Sequence, residues 1–174
     1  MSLLFFGLTQ FAILAYALVG GVFLAFSDFI MRSLSLTDGI GGVQAMQIIN
    51  REVFRWVFMA LFLGLAVISL AIVGYGAVNL DHPAGILILV AGNVYLIGCF
   101  GVTVFFNVPM NEALAGMALS EDATRAYWTD IYLPRWTFWN TVRTLACGTS
   151  AALLLFALLW ITQSPAATLQ TAAR

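Results

Sequence analysis

The sequence predicts an all-α polytopic membrane protein, an antiparallel bundle of four transmembrane helices with short interfacial helices in its first and third connections. Three observations carry this. Hydrophobic residues make up 62% of the chain and charged residues only 9%, against roughly 25% charged in soluble globular domains. The apolar residues fall into four runs, each longer than the ~20 residues a spanning helix requires. Most of the arginines sit in the polar segments between those runs. A single domain over residues 1–164 holds the four runs, and a short polar tail follows at 165–174.

The first run, residues 3–31, is too long for the core of a cleaved leader and has no Lys or Arg before it. It reads as a retained spanning helix. Ala17, Gly21 and Ala25 recur at every fourth residue, a small-residue stripe suited to close helix approach. Asp28 continues the stripe and is expected to face the bundle. In the first connection, Thr37-Asp38-Gly39 and Gly41-Gly42 punctuate a turn. Residues 43–51 are amphipathic and expected at the interface. The second span, 53–78, is entered by Arg55 and Trp56 as interfacial anchors. A turn containing His82-Pro83 separates it from the third, 84–108, so the two form an antiparallel hairpin. Pro109 is expected to kink or end the third span beside Asn107. Ser120 reads as the cap of a short helix over 121–132, which Leu133-Pro134 breaks before the fourth span at 135–162.

The formal net charge is −1 and no basic stripe is present, which excludes a nucleic-acid partner. Arg32, Arg51, Arg55, Arg125, Arg135 and Arg143 all fall in or beside the first and third connections. The positive-inside rule makes those connections cytoplasmic and puts both termini outside, in a plasma (inner) membrane. Cys99 and Cys147 lie inside apolar runs and read as small buried hydrophobes; a disulfide within lipid is not expected. One His, no clustered Cys and no Glu-x-x-His leave no metal set.

Two polar clusters interrupt this pattern. Asn107-Val108-Pro109-Met110-Asn111-Glu112 closes the third run, and Trp136-Thr137-Phe138-Trp139-Asn140-Thr141-Val142-Arg143 opens the fourth. Trp136, Asn140 and Arg143 are spaced i, i+4, i+7 and share one helix face. Each group has a bland explanation. Trp128, Trp136 and Trp139 suit an aromatic belt, Arg143 can snorkel, and the amides can be interhelical glue. Asp28 and Glu112 can be mere counter-ions. Snorkelling accounts for one Arg, but not for two carboxylates and three amides at the same depth. The clusters are therefore expected to converge on a polar pocket at the cytoplasmic end, with Asp28 or Glu112 paired to Arg143.

Asn107-Val108-Pro109-Met110-Asn111 followed by Trp136-Thr137-Phe138-Trp139-Asn140-Thr141-Val142-Arg143-Thr144 resembles the anthrone oxygenase-like family of small integral membrane proteins. Ala45-Met46-Gln47-Ile48-Ile49-Asn50 and Gly20-Gly21-Val22-Phe23 are also similar to its pattern. The likeness covers roughly residues 20–152. It implies a four-helix membrane protein and, in fungal polyketide members, oxidation of an anthrone to an anthraquinone by molecular oxygen. Such chemistry asks for a base and for donors placed where negative charge develops. Asp28 or Glu112 is the candidate base and Arg143 the candidate catalytic cation. Asn107, Asn111 and Asn140 would stabilise the anion, while Tyr132, Trp136 and Trp139 would stack on a flat polycycle. No tightly bound cofactor is expected, and the partners implied are the bilayer and an aromatic or lipid-like molecule. The competing reading is a non-catalytic binding, transport or assembly protein whose polar clusters hold helices together. No inverted repeat or pair of broken helices supports transport.

Overall fold

The computed structural model describes residues 1–120 and 122–163. Glu121, which the sequence places in the first turn of a short helix, and the polar tail at 165–174 lie outside the described residues. Five helices follow in order: α1 Leu3–Ser35, α2 Gly41–Glu52, α3 Val57–Ala77, α4 Pro83–Ala115 and α5 Asp122–Gln163. Four of them, α1, α3, α4 and α5, are long and apolar enough to span a membrane. No strand occurs among the described residues. Helix α1 packs on α5 and α3, and α4 packs on α3 and α5, which closes a four-helix ring.

Pro134, expected to break a helix, and Pro109, expected to kink or end one, both lie inside continuous helices. Helix α4 runs through Pro109 to Ala115, and α5 runs through Pro134 from Asp122, so the short helix of the third connection is the first part of α5. The physical reason lies in the turns that precede them. A proline ring clashes with the carbonyl four residues back and supplies no donor to it. Those carbonyls, of Phe105 and Asp130, sit in wide π-helical turns at Thr103–Asn107 and Tyr127–Tyr132. A wider turn moves the carbonyl out of the ring's way. Further π-helical turns occur at Phe26–Ile30 in α1 and Leu96–Gly101 in α4. Such turns concentrate at functional sites, and three of these four surround the residues described below.

Helix α1 presents a different face from the one expected. Ala17, Gly21 and Asp28 are exposed, while Ala12, Ala15, Tyr16, Val19, Gly20 and Phe23 are buried. An almost wholly apolar helix has no polar face to set its rotation, so the small-residue stripe alone could not decide it. The Tyr16 hydroxyl settles the matter by meeting Ser69 Oγ of α3 at 2.6 Å, inside the core.

Amphipathic α2 lies under the same end of the bundle, burying Gly42, Val43, Met46 and Gln47. Gln47 Nε2 donates to the carbonyls of Leu114 at 2.8 Å and Met117 at 3.2 Å. These belong to the C-terminal end of α4, where helix carbonyls lack intrahelical partners. The amide thus fixes α2 against α4. Between α2 and α3 the backbone is non-helical, and Arg55 pairs there with Glu52 at 3.0 Å. Both side chains are well exposed, so that pair contributes little.

Candidate functional site

Arg143 lies 5% exposed on the inner face of α5. Its Nη2 donates to Asn140 Oδ1 at 2.7 Å and its Nη1 to Thr103 Oγ1 of α4 at 3.3 Å. The guanidinium carbon stands 4.2 Å from the Phe23 ring centroid and 5.2 Å from that of Trp136, within the range of cation–π attraction. Its Nε is buried without a hydrogen-bond partner. Among the described residues no carboxylate pairs with it, the ion pair there being Arg55 with Glu52. Both of its hydrogen-bond partners are neutral.

Asn140 joins α5 to α1. Its Nδ2 donates to the Phe23 carbonyl at 2.6 Å and to Ser27 Oγ at 2.7 Å, next to the π-helical turn of α1. With both amide protons so engaged, its Oδ1 is free to face Arg143. Asn107 does a related job from α4, donating to the Trp136 carbonyl at 3.3 Å, and its Oδ1 is buried and unpartnered.

Asn111 gathers a second network. Its Oδ1 accepts from the Tyr132 hydroxyl at 2.7 Å and from Trp136 Nε1 at 2.8 Å. Asn50 Nδ2 of α2 donates to the Tyr132 hydroxyl at 3.3 Å. Trp128, Tyr132 and Trp136 stack in sequence along α5, with centroid separations of 5.3 and 6.1 Å. The i, i+4 spacing of these three residues builds that ladder.

Between these networks lies a cavity of about 120 Å³. Arg143, Thr103, Asn111 and Asn50 supply its polar wall; Phe23, Phe26, Phe58, Phe62 and Trp136 supply flat apolar faces, with Met46 and Met59 between them. Val22 and Phe54, 41% and 63% exposed, stand at its outer edge. That edge lies between α1 and the segment joining α2 to α3.

The structure brings together Asn107, Asn111, Tyr132, Trp136, Asn140 and Arg143, and it separates the other three expected site residues. Asp28 and Glu112 are exposed and line no part of the cavity; neither is a counter-ion of Arg143. Asp28 is carried outward by the rotation of α1, and Glu112 follows Asn111 onto the opposite side of α4. Trp139 is half-buried and stacks on Phe106 at 3.8 Å, away from the cavity. Several contributors were not singled out as site residues in the sequence, among them Phe23, Asn50, Thr103 and Phe58. Thr103 carried a signal, being one turn before Asn107. Asn50 lies at the end of an amphipathic segment, and only the docking of α2 reveals its role.

Together these features define a membrane-embedded four-helix protein with a cation set into the wall of an aromatic cavity. A family model described as anthrone oxygenase matches residues 50–153, which contain the whole polar wall, and the chain belongs to that family. No curated protein and no solved structure matches the chain.

Proposed function

We propose that the protein is an oxidoreductase that uses molecular oxygen to oxidise a lipid-soluble aromatic substrate of the anthrone type in the Arg143 cavity. The observation that carries this reading is the uncompensated guanidinium among aromatic rings. A cation kept without a counter-ion suits a ligand that becomes anionic during reaction.

The overall change is balanced: the substrate methylene loses both hydrogens and gains one oxygen as a carbonyl, and the second oxygen atom leaves as water. Removal of the first proton gives an anion delocalised over ring and carbonyl oxygen. With that oxygen ~4 Å from Arg143 and an effective dielectric constant near 20, attraction amounts to about 4 kcal/mol. That corresponds to a drop of about 3 units in the substrate's pKa. In this reading Arg143 stabilises the anion, and the proton passes to water at the open edge of the cavity, so no carboxylate need stand in the wall. The anion then gives electrons to oxygen, carbon–oxygen bond formation yields a peroxide, and loss of water leaves the quinone. The Asn111 side-chain amide donates to the substrate oxygen and Thr103 holds the Arg143 guanidinium in place, while Phe23, Phe26, Phe58 and Trp136 sandwich the ring.

Size supports a flat ligand. An apolar cavity of about 150 Å³ holds benzene in another protein, so the smaller volume of about 120 Å³ has room for no more than one ring. The remaining rings of a polycycle would lie in the opening at Val22 and Phe54. Asn107 and Asn140, bonded to backbone carbonyls of neighbouring helices, act as the glue of the competing reading, and Trp139 as an outer aromatic. The arginine distribution supports a cytoplasmic placement of this end, with both termini outside, in a plasma membrane.

The test is turnover of an anthrone by the purified protein in lipid under isotopically labelled oxygen. The expected product is an anthraquinone carrying one labelled atom, formed faster than in protein-free lipid. Formation no faster than that control overturns the reading.

A further inference from the structure

Cys99 of α4 and Cys147 of α5 are both free, fully buried, and 3.4 Å apart at their sulfurs. They stand 48 residues apart in sequence, and they face each other across the helix interface rather than facing lipid. Each lies one helical turn from a residue of the polar wall: Cys99 precedes Thr103, and Cys147 follows Arg143. Thr103 Oγ1 also donates to the Cys99 carbonyl at 2.8 Å while accepting from Arg143. The thiols therefore sit directly below the contact that joins α4 to α5 at the cavity.

We propose that Cys99 and Cys147 are a redox-responsive pair that closes to a disulfide on oxidation by a small, membrane-permeant hydroperoxide. Two S–H bonds break and one S–S bond forms; the peroxide O–O bond is cleaved by the two electrons released, and hydrogen peroxide leaves as two waters. The inference stands independently of the reading given for the cavity.

Two features of the surroundings favour this product. The backbones of α4 and α5 approach closely at this level, because a Cβ placed on Gly98 would come within 2.8 Å of the Ala146 Cβ. A disulfide demands such proximity, with Cα atoms no more than about 7 Å apart. On the other side, a Cβ on Gly20 of α1 would stand 2.9 Å from the Cys147 Cβ. Little room remains there for the extra oxygens of a sulfinic or sulfonic acid. Disulfide formation instead draws the sulfurs inward, from 3.4 Å to about 2.05 Å.

The experiment treats the full chain in lipid nanodiscs with graded hydrogen peroxide, then denatures it, alkylates remaining thiols, and maps peptides by mass spectrometry. The expected result is loss of both alkylatable thiols together, a linked Cys99–Cys147 peptide lighter by two hydrogens, and recovery of both thiols on reduction. Survival of both thiols at exposures that convert the exposed Met1 to its sulfoxide overturns the proposal. Oxygen addition to either sulfur alone overturns it as well.

Discussion

Arg143 donates to the side-chain oxygen of Asn140 at 2.7 Å, one turn back on the same helix, and this amide occupies the place where a counter-ion would ordinarily stand. A carboxylate there would neutralise the guanidinium. The amide holds it in position and leaves its charge unspent.

Asn140→Asp converts that arrangement into a buried ion pair. Its carboxylate loses the donation to Phe23 and Ser27, but the pairing with Arg143 offsets the loss. The expected outcome is a folded protein whose anthrone turnover falls by 100-fold or more, read by oxygen uptake alongside thermal unfolding. Retained turnover with a paired Arg143 would contradict the role given to the free charge.

Removing the cation separates function from stability. A buried charge costs about 2.5–3.5 kcal/mol on insertion scales, and removing it strands Asn140 Oδ1 at about 1–3 kcal/mol, which at most offsets that gain. Arg143→Met is therefore expected to unfold no earlier than wild type in a thermal melt while losing turnover. A large fall in melting temperature would mark Arg143 as structural.

Asn111→Leu should be the most damaging change to the second network. It strands the Tyr132 hydroxyl and Trp136 Nε1, each costing about 1–3 kcal/mol when buried and unsatisfied. Tyr132→Phe removes the donor to Asn111 and the acceptor of the longer bond from Asn50, and should cost less, about 1–2 kcal/mol. Denaturation of both variants in the same detergent gives the ordering directly.

Asp28→Asn and Glu112→Gln should each leave turnover within about twofold of wild type, because both carboxylates are exposed and outside the cavity wall. Loss of activity in either would restore a carboxylate base to the mechanism.

The fold was legible because apolar run length depends on bilayer thickness, which leaves few alternatives. The convergence of Asn107 and Asn111 with Trp136 and Arg143 was legible too, since both clusters sit beside the same connection. Rotation about the helix axis was not. In α1 nearly every residue is apolar, so Ala17 and Gly20 compete on equal terms for the buried face, and a hydroxyl pairing with Ser69, 53 residues from Tyr16, decides. Pro109 and Pro134 misled for a local reason, as π-helical turns absorb the clash that would break an α-helix. The Cys99–Cys147 contact was hidden for the same reason as the rotation of α1. It depends on which faces of two apolar helices meet.

The central claim is that Arg143 stabilises an aromatic oxyanion within the cavity, and a hydroxyanthraquinone tests it directly because its phenolate absorbs at longer wavelength than its phenol. Titrated with the protein in nanodiscs, the bound dye should ionise about 3 pH units below the free dye, and this shift should vanish in Arg143→Met. A bound dye that ionises where the free dye does, or a shift that survives in Arg143→Met, would contradict the account.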